Sequence, residues 1–295
     1  MFGLLNINKP LRATSRDAVN RVQRLIRPVK VGHAGTLDPL ATGVLVLCLG
    51  PATRLIQYVQ RLPKRYTGTF LLGRRSDSDD LEGKVVELEG PIVPTAGDIN
   101  AALPQFTGTI QQRPPIFSAI KVKGQRAYDL ARAGMDVRLE ARPVTIHDLR
   151  VVRYEYPELV LDIECGSGTY IRSLGRDLAE SLGTAAVMSS LERTAIGDFT
   201  IDSAIELVGI TEDSLTHDLL PAESAVQHLN AVELTHAEID KTNNGLTIER
   251  PQHGFHGDVA AFNTDGQLVA IVAPRSPDQL RPISNLAVAN KHAAG

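Results

Sequence analysis

Apolar residues along the chain follow two periods, which separate predicted helices from predicted strands. Between residues 15 and 27 they recur every three to four positions, as on one face of a helix that Thr14 or Ser15 can cap and Pro28 ends. From Lys64 to Leu72 they alternate instead, as on a half-buried strand. The helical face comprises Ala18, Val19, Val22, Leu25 and Ile26, and the strand face comprises Tyr66, Gly68, Phe70 and Leu72.

The same criteria predict the other elements. Strands are predicted at 2–8, 44–49, 144–154 and 159–165, and helices at 52–62, 98–103 and 171–182. Beyond about residue 230 the pattern changes to a short helix at 236–242 and a hairpin at 258–273, whose turn is Asp265-Gly266. We therefore expect one domain over 1–229 and a small one over 230–295, with 287–295 frayed.

Length and composition define the class of protein. The chain has 295 residues, two cysteines in no motif and eight histidines without an HExxH pair, so we expect reduced thiols and no metal. Its longest apolar run, 44–49, is far shorter than the roughly 18 residues of a membrane span, and no basic leader precedes an apolar stretch. These features predict a soluble, cytoplasmic protein, for which a monomer is the default expectation.

Charge is distributed unevenly along the chain. The net charge is −3, but residues 1–75 hold thirteen lysines and arginines against two acids, so that this part carries +11 and the remainder −14. A second basic run contains Arg113, Lys121, Lys123, Arg126 and Arg132. Such blocks favour contact with RNA phosphates, although solvated helix faces are the alternative.

One stretch combines turn-forming residues with a single acid. Residues 32–43 read GHAGTLDPLATG, in which Asp38 is the only carboxylate and three glycines permit tight turns. Pro39 restricts the backbone of Asp38. Capping of a turn is the ordinary function of an Asp-Pro pair, and a catalytic carboxylate is the alternative.

This stretch resembles the active-site segment of the bacterial tRNA pseudouridine-55 synthases. Further blocks are similar to that family: KPLRATS at 9–15, Lys64-Arg65-Tyr66, the segment 113–134, GSGTYIRSL at 166–174 and Leu-Glu-Arg-Thr at 191–194. In the first of these Arg12 replaces the family's glycine, and Arg16 follows where many members have histidine.

The resemblance implies both a fold and a function. The fold is α+β, with a mixed, mainly antiparallel central sheet flanked by helices and a small barrel-like RNA-binding domain of the PUA type. The function is isomerisation of the T-arm uridine of tRNA to pseudouridine by base flipping and an aspartate nucleophile, without a cofactor.

The resemblance also assigns roles to residues of this chain. Asp38 is the nucleophile, Tyr66 stacks on the target base, and Arg172 lines the catalytic pocket. We further expect Arg172 to pair with Asp38 and keep it ionised and oriented. The remaining assigned residues contact the substrate: Lys9, Lys121 and Arg126 hold the T-arm, His33 fills the space left by the flipped base, Tyr170 lines the pocket and Leu191 lies beside the base.

Some alternatives remain open. The acidic stretch 76–83 lacks the pattern of a calcium loop and is interpreted as a solvated turn between strands. A non-catalytic RNA-binding or RNA-folding protein would use the same basic surface, but Asp38 would then be dispensable. A glycoside hydrolase would need a second acid beside Asp38. A guide-RNA-dependent enzyme of the same family is the last alternative.

Overall fold

The computed structural model describes residues 1–117, 121–122, 125–126, 139–252 and 254–286. Its helices are α1 (Ser15–Leu25), α2 (Ile56–Arg61), α3 (Ala96–Ala102), α4 (Ile171–Ser181), α5 (Glu212–His217) and α6 (His236–Asn243). The strands of the first half are β1 (Gly3–Lys9), β2 (Val31–His33), β3 (Ala41–Leu49), β4 (Lys64–Leu72), β5 (Arg74–Arg75), β6 (Val86–Glu87), β7 (Gly108–Gln112), β8 (Lys121–Val122) and β9 (Gln125–Arg126). Those of the second half are β10 (Arg142–Glu155), β11 (Glu158–Cys165), β12 (Ala186–Ile196), β13 (Phe199–Thr200), β14 (Ile205–Glu206), β15 (Asn230–Glu233), β16 (Ile248–Glu249), β17 (Val259–Phe262), β18 (Leu268–Ser276) and β19 (Gln279–Asn285).

A large mixed sheet forms the centre of the molecule. Its strand order is β14-β1-β3-β12-β4-β11-β10-β7, with β2 paired to β3 and β13 to β12. The pairs β1–β14 and β3–β12 are parallel, and the other pairs of this sheet are antiparallel. The predicted α+β fold with a mainly antiparallel central sheet is therefore confirmed.

Most predicted elements agree with the structure. Strand β4 has the predicted bounds and the alternating burial that its sequence requires. Helix α1 begins after Thr14, whose hydroxyl accepts a hydrogen bond from the Asp17 amide. The predicted helix 52–62 differs, because Gly50–Leu55 forms a 3₁₀ helix before α2 begins at Ile56.

Helix α4 packs closely on the central sheet. A Cβ added at Gly175 would lie 2.0 Å from the Phe70 ring, so the helix approaches β4 at a distance that only glycine permits. Phe70, Ile171 and Leu174 belong to one buried cluster with Leu191. This packing fixes the first turn of α4, which carries Arg172.

A second, five-stranded sheet follows, ordered β15-β17-β18-β19-β16 and curled into a half-barrel. It contains the predicted hairpin as β17 and β18. Ala260 and Ile271 share a buried cluster with Val44 and Tyr58 of the first part of the chain. The Tyr58 hydroxyl also donates to Asp258 at 2.9 Å, so hydrophobic packing and a polar contact attach this sheet to the rest of the molecule. The expected fraying at 287–295 lies outside the described residues.

Within the described part of the chain, we find no helix long and apolar enough to cross a membrane.

Candidate active site

The loop that carries Asp38 connects β2 to β3 and is held by hydrogen bonds from both sides. The Leu37 amide donates to the Ser15 hydroxyl at 2.9 Å, and the Arg12 amide donates to the Pro39 carbonyl at 2.8 Å. Leu37 itself is buried in the core. Asp38 lies between these anchors, so its backbone is fixed in position, and 39% of its side chain is exposed.

Gly43 allows the end of this loop to lie directly against β12. Its φ is +96°, and an added Cβ would lie 2.3 Å from the Arg193 carbonyl oxygen. Both the left-handed backbone and the close approach exclude a side chain here. Packing against β12 therefore explains why glycine occupies position 43.

Arg172 joins the Asp38 loop to two other segments. Its Nη2 lies 3.0 Å from Asp38 and donates to the Phe117 carbonyl at 3.1 Å. Its Nη1 lies 3.0 Å from Asp80 and donates to the Ser78 carbonyl at 2.9 Å. Only 7% of the side chain is exposed. The predicted pairing of Arg172 with Asp38 is confirmed as an ion pair between one guanidinium nitrogen and one carboxylate oxygen.

The acidic stretch at 76–83 is part of this network, so its interpretation as a solvated turn is wrong for its central residues. Asp80 is 1% exposed, and its Oδ1 accepts from the Ser78 hydroxyl at 2.5 Å and the Glu82 amide at 3.0 Å. Asp79 pairs with Arg176 of α4 at 2.7 Å. Arg172 and Arg176 lie one helical turn apart, and buried arginines need anionic partners. This spacing in the sequence was the signal that could have identified the acidic stretch as their partner.

Arg193 is a buried cation that the sequence interpretation missed. It is 1% exposed, and its guanidinium donates to the Val44 carbonyl at 2.7 Å and the Gly35 carbonyl at 3.1 Å. These bonds connect β12 to β3 at Val44 and to the Asp38 loop at Gly35. Arg193 also faces Tyr66, whose pKa is raised by burial in spite of that positive charge. The Tyr66 hydroxyl is therefore protonated at neutral pH and available as a donor.

Lys9 lies inside the protein rather than on an RNA-facing surface. It is fully buried, and its Nζ donates to the Pro10 carbonyl at 3.0 Å and the Ala13 carbonyl at 2.7 Å. Burial, followed by the charge of Arg193, lowers its pKa to about 8. The predicted contact of Lys9 with the T-arm does not agree with this placement, because none of its side chain is exposed. Lys9 instead supports the turn at 10–13, which contacts the Asp38 loop.

His33 and Leu191 lie on strands that flank the Asp38 loop or pair with β3, which follows it. Burial, and then the charges of Arg16 and Arg193, lower the pKa of His33, so its imidazole is neutral at pH 7. Its Nδ1 has no hydrogen-bond partner among the described residues. Leu191 lies in register between Ala41 of β3 and Gly68 of β4, and it belongs to the same buried cluster as Leu37, the residue before Asp38.

Tyr170 precedes α4 and is held through its backbone. The Gln112 side chain accepts from the Tyr170 amide at 2.8 Å and donates to its carbonyl at 3.1 Å. The Arg142 guanidinium lies 5.2 Å from the ring centroid, a cation–π distance. Gln112 and Arg142 were not predicted, because only the pairing of β7 with β10 brings them to Tyr170.

The remaining predicted contacts, Lys121 and Arg126, pair with each other as backbone positions of β8 and β9. Their side chains lie outside the described residues, so their contact with RNA stays a prediction. Across the described residues, no group of three or more His, Cys, Asp or Glu side chains is arranged to hold a metal.

The geometry can now be compared with known proteins. Residues 23–171 match the family model described as TruB family pseudouridylate synthase (N terminal domain). A protein named tRNA pseudouridine synthase B from Arthrobacter sp. (strain FB24) is 44% identical over 291 residues, which cover 92% of this chain and 93% of that protein. The chain belongs to the TruB family of pseudouridylate synthases. A second relative of that name, from Rhodospirillum rubrum, is 42% identical and covers 96% of both chains.

Solved structures of other proteins have the same fold. A chain of a Cbf5–Nop10–Gar1 complex superposes with a TM-score of 0.73 at 25% identity, over 96% of this chain and 84% of that one. A chain of an H/ACA RNP bound to a substrate RNA containing 2′-deoxyuridine gives a TM-score of 0.74 at 22% identity, over 98% and 86%. The second likeness shows a shared fold.

Proposed function

We propose that this TruB family member is a tRNA pseudouridine synthase that isomerises the T-arm uridine at position 55, with Asp38 as the nucleophile. The observation that carries the proposal is the exposed carboxylate of Asp38 held at 3.0 Å by the buried guanidinium of Arg172. Two relatives that align with nearly the whole chain are named tRNA pseudouridine synthase B, and these names support tRNA as the substrate. Because tRNA is the proposed substrate, we expect the enzyme to act in the cytoplasm.

The proposed reaction breaks the bond between N1 of uracil and a carbon of the ribose. It then forms a bond between C5 of uracil and that ribose carbon. N1 gains a proton and C5 loses one, so the isomerisation consumes no other reactant. A carboxylate can serve as a covalent nucleophile in such an exchange, and Asp38 takes that role at the sugar or at the base. The fixed guanidinium of Arg172 keeps the carboxylate aimed during the reaction.

The surrounding residues suit a flipped base. A uridine within a folded T-arm must leave its stack to reach Asp38. Tyr66 and Leu191 offer an aromatic and an aliphatic surface to the extruded base, and the neutral His33 can occupy the space that it leaves. Lys9 acts through the turn at 10–13 rather than on the RNA.

The direct test uses unmodified tRNA that carries tritium at C5 of uracil. Wild-type protein should release tritium, and Asp38→Asn should release none while binding the tRNA with unchanged affinity. Asp77→Asn serves as the control, since Asp77 is an exposed acid of the nearby turn and should leave the release unchanged. Tight binding with no release from the wild type would instead identify a non-catalytic RNA-binding protein.

A further inference from the structure

Arg12 occupies a backbone position that favours glycine. Residues 10–13 form a turn closed by a bond from the Ala13 amide to the Pro10 carbonyl at 3.4 Å, and Arg12 is its third residue with φ +67°. A positive φ at this point of a turn is the condition under which glycine is preferred. An arginine here adopts a strained conformation that the sequence could have avoided.

The turn is held without help from the Arg12 side chain. Lys9 bridges its two ends from below through the Pro10 and Ala13 carbonyls, and the Arg12 amide donates to Pro39 at 2.8 Å. These contacts impose the left-handed conformation on any residue at position 12. The exposed guanidinium has no hydrogen bond or ion pair with another described residue. The side chain is therefore free to contact something outside the protein.

The surroundings of Arg12 define the chemistry of that contact. The bond to Pro39 places its turn beside Asp38, at the entrance of the candidate active site. Arg16, also exposed, is near enough to His33 for its charge to help lower the pKa of that imidazole. The nearby acid Asp17 is already bonded to Thr14 at 2.6 Å. Arg12 and Arg16 are thus two exposed guanidinium groups that have no hydrogen bond or ion pair with another described residue, and their planar donors match phosphate oxygens.

We propose that Arg12, supported by Arg16, binds a backbone phosphate of the substrate RNA next to the nucleotide that reaches Asp38. A glycine at position 12 would relieve the strain but could not make this contact, which gives a reason for the arginine. The inference rests on the proposed function in one respect, namely that the substrate is RNA.

The test compares three variants by their affinity for unmodified tRNA. Arg12→Gly removes the guanidinium and suits the backbone, so it should fold; Arg12→Lys retains the charge. Arg24→Gln removes an exposed arginine from the far end of α1, about 13 Å along the helix from Ser15. Dissociation constants are measured by filter binding at about 50 and 200 mM salt, with KM and kcat from tritium release.

Arg12→Gly should make the affinity for tRNA less dependent on salt, by the amount expected for the loss of about one phosphate contact. Its loss of affinity should then be about threefold larger at 50 than at 200 mM salt, since each contact contributes a slope of about 0.9 in the logarithmic plot. KM should rise with the dissociation constant while kcat stays unchanged, and Arg12→Lys should lie between Arg12→Gly and the wild type.

Three results would overturn the inference. One is a wild-type salt slope in Arg12→Gly, and another is a lower kcat at unchanged affinity, because Arg12 would then act on the catalytic loop. Equal changes in Arg12→Gly and Arg24→Gln would show an effect of net charge alone. If the wild type released no tritium, the proposed function would fail, but the salt slopes would still decide whether Arg12 contacts a phosphate.

Discussion

Replacing Asp80 with asparagine should slow catalysis although Asp80 is not the proposed nucleophile. Asparagine keeps the Oδ1 acceptor that binds Ser78 and the Glu82 amide, but it presents an NH₂ group where Oδ2 accepted from Arg172 at 3.0 Å. One charge-assisted hydrogen bond in a nearly solvent-free site is lost, about 1.5–3 kcal/mol. Arg172 retains Asp38 and the carbonyls of Ser78 and Phe117, so the change weakens its placement without removing it.

If this energy appears in the transition state, the rate constant falls by roughly ten- to 150-fold. The assay is single-turnover tritium release at saturating enzyme, which separates chemistry from binding. Asp77→Asn is the matched control, and urea unfolding of each variant shows whether the protein remains folded. A folded Asp80→Asn enzyme with a rate within about twofold of the wild type would refute the argument that Asp80 orients Arg172.

Two further predictions concern stability. Gly43→Ala should lower the free energy of unfolding by at least about 1 kcal/mol more than Gly209→Ala. Both glycines have positive φ, but only Gly43 lies against the Arg193 backbone. Equal losses of unfolding free energy, measured by urea denaturation, would contradict the packing argument. The pKa of Lys9 is lowered from 10.5 to about 8, so above pH 8 the unfolded chain holds a proton that the folded chain has released. The contribution of Lys9 should therefore make the free energy of unfolding rise with pH between about 8 and 10.5. Below pH 8 Lys9 is charged in the folded protein, so burial of that charge lowers the free energy of unfolding by its full amount. Lys9→Met should show a smaller rise than the exposed-residue control Lys30→Met, whereas identical profiles would refute the assignment.

The sequence by itself determined the local elements and the position of the candidate loop. Alternation from Lys64 to Leu72 specified β4, and the helical period with Thr14 and Pro28 specified α1, because side-chain periodicity depends only on which face must be buried. The glycines and the proline of the stretch 32–43 predict a restricted loop around Asp38. The choice between turn capping and catalysis for Asp38 came from the resemblance of this stretch to the pseudouridine-55 synthases.

Only the tertiary structure decided which charged side chains are buried and what they contact. Lys9 is a lysine in a basic stretch, yet its position at the end of β1, between β14 and β3, buries it completely. Asp80 is adjacent to residues that the sequence pattern predicts to be exposed to solvent. It becomes buried because α4 brings Arg172, which lies 92 residues later in the chain, over the turn. Pairings of this kind follow from strand order and helix packing, which no local pattern encodes.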